Sequence, residues 1–176
     1  ALASATTARA LGVSIQVITT ALGKIRNIPG RAEKIEAGQN FTVVVDYAHT
    51  PDSLEALYNA YGKLRKICVF GATGGGRDTW KRPVMGAIAD KYCDELILTN
   101  EDPYDENPRV IVNAVAQGMR RKPEIIMDRR EAIRSALARA SAGDAVLITG
   151  KGTDPCICVG NGGQIPWSDA GVAREE

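Results

Sequence analysis

Five short apolar runs, each separated from the next by a helix-length segment, constrain this chain most strongly. The runs are Phe41–Val45, Lys66–Phe70, Glu95–Thr99, Glu124–Met127 and Ala145–Thr149. Between them lie amphipathic or capped segments over Asp52–Leu64, Arg82–Tyr92, Pro108–Met119 and Arg129–Ser141. Pro51, Pro83 and Pro108 sit where a first helical turn tolerates proline, and Gly118 and Gly143 mark helix ends. Strands that alternate with helices this long predict βαβ units. The expected fold is α/β, a three-layer αβα domain with a mainly parallel sheet of about six strands. Val43-Val44-Val45 and Ala145-Val146-Leu147-Ile148 are continuous rather than alternating. That suits strands buried on both faces.

The ends depart from this rhythm. Residues 1–23 read as helical, Ala-rich with Val13, Val17 and Leu22 near helical spacing, interrupted by Gly12. Ile28-Pro29-Gly30-Arg31 breaks the pattern, which places a boundary there. Residues 1–30 are expected to be the helical remnant of a preceding domain plus a hinge, and 31–176 a domain of their own. A chain that begins inside a helical pattern is expected to be a fragment. Asn161-Gly162-Gly163 predicts a turn between two short strands. There are no internal repeats and no low-complexity tract.

Composition excludes several partners. Lys and Arg number 22 against 21 Asp and Glu, so no basic excess points to nucleic acid or a membrane surface. Arg120-Arg121-Lys122 and Arg129-Arg130 are expected to be solvated surface. No run of about 18 apolar residues is present, and the N-terminus lacks a secretory signal pattern. Cys68 reads as a small buried hydrophobe, and Cys156-x-Cys158 is too close for a tetrahedral zinc pair. The four cysteines are expected to be reduced thiols in a cytoplasmic protein, with no metal.

In an open parallel sheet, ligands bind beyond the carboxyl ends of the strands. The residues there are Asp46–Asp52, Gly71–Asp78, Asn100–Tyr104, Asp128 and Gly150–Asp154, rich in glycine and charge. Gly71 to Gly76 has P-loop spacing, but Arg77 and Asp78 follow where Lys and Ser or Thr would reach phosphate and magnesium. The better reading is a backbone turn that lets Arg77 face an anionic group. His49 is the single histidine and is expected to be a hydrogen-bonding neighbour rather than a general base. Asp46 could accept from a ribose hydroxyl or cap the helix near Pro51. Lys151, between two glycines, reads as exposed backbone next to a cation, which suits an anionic ligand.

Together these loops resemble the muramyl (Mur) ligases, ATP-dependent amino-acid ligases of peptidoglycan synthesis. Asp46-Tyr47-Ala48-His49-Thr50-Pro51-Asp52 looks like that family's D-Y-A-H-x-P-D signature. Pro29-Gly30-Arg31 precedes it, and the glycine loop, Lys81-Arg82-Pro83-Val84-Met85-Gly86 and Gly150-Lys151-Gly152 follow it, in the family's order. The likeness covers the whole chain and is strongest to the branch that adds the third stem-peptide residue. It implies a Rossmann-like C-terminal domain working beside a UDP-sugar domain and a central ATPase domain of the same chain. It also implies ATP and Mg2+ in the whole enzyme, held mainly by the central domain, and a fragment inactive alone that binds neither tightly. By the same resemblance Arg31, Asp46 and His49 meet the nucleotide. Arg77, Glu101, Asp102, Tyr104, Gly150 and Asp154 line the pocket for the incoming amino acid. No residue of this chain is assigned a catalytic role.

One departure is informative. Members that add meso-diaminopimelate carry D-N-P-R in the third loop, whose Arg holds the distal carboxylate. Here the loop is Glu101-Asp102-Pro103-Tyr104, acidic and without that Arg. It is expected to suit lysine or another diamine lacking the distal carboxylate. Asp154 stands where the family usually has Glu, and its shorter side chain leaves the pocket geometry open. Two alternatives stay open: a folylpolyglutamate-type ligase domain, which Tyr47 and Thr50 disfavour, and a stand-alone ligand-binding module.

Overall fold

The computed structural model describes residues 1–176 apart from Arg26 and Arg77. Two short helices open the chain, α1 (Leu2–Ala10) and α2 (Ile15–Gly23), separated at Gly12, whose φ of +84° ends the first. Then come β1 (Glu33–Ile35), β2 (Thr42–Asp46), α3 (Pro51–Ala60), β3 (Lys66–Phe70), α4 (Lys81–Tyr92) and β4 (Glu95–Leu98). They are followed by α5 (Pro108–Ala116), β5 (Glu124–Ile125), α6 (Arg129–Arg139) and β6 (Ala145–Thr149). A hairpin of β7 (Cys156–Val159) and β8 (Gly163–Pro166) and a last helix, α7 (Asp169–Glu175), complete the fold.

Six strands form one sheet in the order β1-β2-β6-β3-β4-β5. All neighbours are parallel except β1, which pairs antiparallel with β2 at the edge. The chain thus winds outward from β3 to β5 and returns through α6 to insert β6 between β2 and β3. The mainly parallel αβα reading holds, and β1 and α7 are the elements it did not contain.

Alternate residues of each central strand feed two separate cores, as the two-residue period requires. Val44, Cys68, Phe70, Leu98 and Leu147 face α3, α4 and α5, meeting Leu54, Tyr58, Met85, Ile111 and Val115. Val43, Val45, Ile67, Val69, Val146 and Ile148 face α6 and α7, meeting Ile133, Ala136 and Val172. Both layers are buried, which is why these strands lack polar residues until their ends. α3 begins at Thr50, whose side chain and that of Ser53 form a reciprocal capping box with Pro51 in the first turn. Asp46 therefore does not cap this helix. Its Oδ2 accepts from the Ala32 N–H at 2.6 Å and its Oδ1 from the Ala48 N–H at 2.7 Å.

Three sequence expectations are corrected. Cys68 and Cys93 are joined by a disulfide, with Cα atoms 6.1 Å apart, rather than being reduced. β3 and the end of α4 bring them together from 25 residues apart, a proximity that only the folded sheet creates. Cys156 and Cys158 are free. Arg129 is buried, whereas Arg130 is exposed as expected. Adjacent helical residues point about 100° apart, so one arginine of the pair faces the core and its neighbour faces water. Lys151, expected to be a cation open to an anionic ligand, is among the most buried side chains of the described residues.

Candidate functional site

The loops after β2, β3, β4 and β6 converge on a cleft of about 280 Å³ at the carboxyl end of the sheet. Tyr47, His49, Thr73, Gly74, Asp78 and Lys81 line one part of it. Glu101, Asp102, Tyr104, Gly150 and Asp154 line the rest. Five of the six residues expected to hold an amino acid are thus brought together. Arg77, the sixth, lies outside the described residues.

The glycine loop owes its composition to packing. The Gly74 N–H donates to the Asp102 carbonyl at 2.7 Å. A Cβ at Gly74 would run into the Pro103 carbonyl, so only glycine lets the second and third loops meet. Arg82 of α4 reinforces the same junction. Its guanidinium grips both Glu106 oxygens, at 3.0 and 3.1 Å, and the Thr73 carbonyl at 3.1 Å. This adds a reason for the K-R-P segment that its sequence alone did not show.

The acids of the third loop are not equivalent. Asp102 is already committed: Lys151 Nζ donates to its two oxygens at 2.8 and 2.7 Å, and the Cys158 N–H donates to Oδ1 at 2.8 Å. Burial works against the Lys151 charge, but the hydrogen bonds and charge of Asp102 prevail and raise its pKa. Lys151 also lies 3.4 Å from Asp154 Oδ2. Its ammonium therefore builds the pocket wall rather than waiting for an anion.

Glu101 is different. Its Oε1 accepts from the Thr73 hydroxyl at 2.7 Å, while the buried Oε2 has no partner among the described residues. Burial pushes the Glu101 carboxyl above its usual range. A carboxyl raised in the fold binds its proton more tightly than in the unfolded chain. The stability it contributes is full below the unfolded value and is lost as pH rises through the folded value. Glu101→Gln removes this dependence. Denaturation midpoints across about pH 4 to 8 should show the unaltered protein losing stability relative to the variant as pH rises. Parallel curves would contradict the assignment.

The residues expected on the nucleotide side also cluster, around Tyr47. The Arg31 guanidinium lies over the Tyr47 ring at 4.9 Å, and the His49 ring meets it edge-on at 4.7 Å. His49 Nδ1 is 2.8 Å from the Tyr47 carbonyl. A carbonyl only accepts, so Nδ1 carries the proton and a neutral ring leaves Nε2 as an acceptor. His49 and Tyr47 line the same cleft as the amino-acid residues, so the two expected sets share one rim. The expected site residues did not include Tyr47, Thr73, Gly74, Asp78 and Lys81; the signal for the first four was membership of the same strand-end loops, and Lys81 opens the helix that follows one of them.

Tyr104 takes a left-handed backbone conformation, φ 49°, unusual for a bulky residue. It is held there from outside its own loop. Its N–H donates to the Cys158 carbonyl at 3.1 Å, and it bridges to Val159 in parallel fashion. Beneath the rim, Arg129 donates to the carbonyls of Asn100 at 3.2 Å and Thr149 at 2.8 Å, the residues that lead into the third and last loops.

Residues 30–152 match the family model described as Mur ligase, glutamate ligase domain. The chain belongs to this family. Among curated members, it is 46% identical over 86% of its length to UDP-N-acetylmuramoyl-L-alanyl-D-glutamate--2,6-diaminopimelate ligase of Syntrophomonas wolfei. It is 44% identical over 99% of its length to UDP-N-acetylmuramyl-tripeptide synthetase of Roseiflexus sp. (strain RS-1). It covers 32% and 36% of these two proteins, so this Mur ligase domain spans about a third of such relatives. A solved UDP-N-acetylmuramoyl-L-alanyl-D-glutamate--2,6-diaminopimelate ligase superposes with a TM-score of 0.77 at 33% identity, covering 99% of this chain and 36% of that one. A folylpolyglutamate synthase/dihydrofolate synthase from Yersinia pestis shares the fold, with a TM-score of 0.60 at 21% identity over 78% of this chain and 32% of that one.

Proposed function

We propose that this Mur ligase domain selects the incoming amino acid in an ATP-dependent ligase of peptidoglycan synthesis. The whole enzyme adds the third stem-peptide residue to a UDP-N-acetylmuramoyl-dipeptide in the cytoplasm, and that residue is lysine or another diamine without a distal carboxylate. The carrying observation is the acidic cleft in which Tyr104 stands where an anion-holding Arg would be. Among the described lining residues, Asp78, Glu101, Asp102 and Asp154 outnumber Lys81, the one lysine of the lining. Asp102 is neutralised by Lys151, which leaves the partly exposed Asp154 to face a ligand, with the buried Glu101 behind it in the wall. An ammonium in the cleft is attracted by Asp154 and favours the ionised form of the buried Glu101. A carboxylate placed there meets like charge in a partly desolvated site, an arrangement that costs several kcal/mol (about 1–4).

The nucleotide is read in two parts. Its triphosphate and magnesium do not fit this chain. Arg77 and Asp78 stand in place of a Walker Lys and Ser or Thr. When bound by the rest of the enzyme, ATP activates the substrate carboxylate for attack by the amine. Its nucleoside end fits better, against Arg31, Tyr47 and His49. Asp46 supports that wall through the Ala32 and Ala48 amides. Residues 1–30 belong, in this reading, to the central domain and a hinge at Pro29-Gly30. Ile18 is the one buried residue of α1 and α2.

The reading is tested by assaying ATP-dependent ligation with the full-length enzyme and with residues 1–176 alone. Product is expected from the full-length enzyme with UDP-muramoyl-dipeptide and lysine, and none from the shorter chain. Turnover by residues 1–176 would contradict it.

A further inference from the structure

Cys156 and Cys158 have no part in the reading above, yet they sit at its most individual residue. They occupy β7, which pairs with β8 so that Cys156 faces Pro166 and Cys158 faces Gln164. Residues two apart on a strand point to the same side, so the two thiols are neighbours. Ile157 between them points the other way and is buried, while both cysteines are partly exposed. The Tyr104 backbone bridges to Val159, the residue after Cys158, so the third loop is tied to the same stretch of strand. The Cys158 backbone is the anchor of the third loop, donating to Asp102 and accepting from Tyr104.

We propose that Cys156 and Cys158 form a redox-modifiable dithiol, which a low-molecular-weight disulfide converts to an intramolecular disulfide that releases Tyr104. The exchange balances as follows. The Cys156 thiolate attacks one sulfur of the small disulfide, forming a mixed disulfide and expelling one thiolate. The Cys158 thiolate then attacks the Cys156 sulfur, and the second small thiol leaves. Two electrons pass from the cysteine pair to the oxidant, and the two protons end on the released thiols.

Geometry gives the reaction its consequence. Alternate residues of an extended strand have Cα atoms about 6.7 Å apart, the far edge of what a disulfide spans, against a usual value of roughly 5.5–6 Å. Closing the bridge must pinch β7 and draw Cys158 back from Asp102 and Tyr104. A disulfide under such tension is readily reduced, which makes the change reversible. Burial and the neighbouring thiol push the Cys156 thiol up, which leaves little thiolate at neutral pH and makes the exchange slow there and faster only as pH rises.

The test uses the protein incubated with oxidised glutathione and mapped by mass spectrometry. The peptide holding Cys156 and Cys158 should become lighter by two hydrogens, and dithiothreitol should restore it. Hydrogen exchange at the Tyr104 amide should quicken by roughly tenfold, as expected for loss of one net hydrogen bond. Cys156→Ser should form no intramolecular bridge. Persistent reduced thiols, a mixed disulfide that never resolves, or a bridge that leaves Tyr104 exchange unchanged would each overturn the proposal. None of these readouts uses ligation, so their failure is separate from failure of the ligase reading.

Discussion

Arg129→Ala is expected to lower the unfolding free energy by about 3–5 kcal/mol, the range for breaking a buried ion pair from one side. Arg129 Nε and Nη2 donate to Asp169 at 2.8 and 2.7 Å, and both side chains are almost fully buried. Removing the guanidinium leaves the Asp169 carboxylate inside the protein with the Trp167 indole N–H, at 2.7 Å, as its remaining side-chain donor. It also frees the carbonyls of Asn100 and Thr149, so the loss reaches the cleft as well as α7. Urea denaturation measures the effect. Arg129→Lys should recover only part of it, because an ammonium cannot reproduce the planar fork that meets a carboxylate and two carbonyls. Arg129→Met combined with Asp169→Leu should be closer to the unaltered protein than Arg129→Ala, since no charge is then stranded. A change in the single variant below about 0.5 kcal/mol, typical of a surface site, would show that Arg129 is not the keystone described.

Asp102→Ala is expected to have the second large effect, again about 3–5 kcal/mol, and to carry a pH signature. The Lys151 ammonium would lose both short hydrogen bonds and keep only Asp154 at 3.4 Å. In the unaltered protein Asp102 holds the Lys151 pKa above its ordinary value. A lysine whose folded pKa is raised contributes stability that is full below the unfolded value and is lost only as pH climbs through the folded value. Without Asp102, burial dominates and depresses the lysine instead. The deficit of the variant should then be greatest at neutral pH and shrink as pH rises and Lys151 sheds its proton. Adding Lys151→Met should remove that pH dependence. A deficit independent of pH would show that Lys151 is not a stranded charge in the variant.

The layers of the fold were legible because they depend on local patterns. β3 and β6 match their apolar runs residue for residue, over Lys66–Phe70 and Ala145–Thr149. Helix ends were less legible: α3 stops at Ala60 rather than Leu64, and α5 at Ala116 rather than Met119, because the last turns tighten into turn geometry. β1 was hidden because Glu33-Lys34-Ile35 is short and becomes a strand only by pairing with β2. α7 was hidden because its helix is fixed by long-range contacts, chiefly Asp169 reaching Arg129. The site was legible as a set of strand-end loops, since those are contiguous in sequence. What was not legible is which charges are spent on each other. Lys151 and Asp102 are 49 residues apart, and nothing local tells that one neutralises the other. The same holds for Arg129, which is indistinguishable from Arg130 until the helix turns it inward.

The central claim is that this rim chooses an amino acid by accepting a free distal ammonium and refusing a distal carboxylate. The most direct measurement is the ratio of kcat/KM for lysine to that for meso-diaminopimelate in the full-length enzyme. The repulsion expected in the cleft corresponds to a preference for lysine of about tenfold or more, and Tyr104→Arg should move the ratio toward meso-diaminopimelate. A clear preference of the unaltered enzyme for meso-diaminopimelate would contradict it.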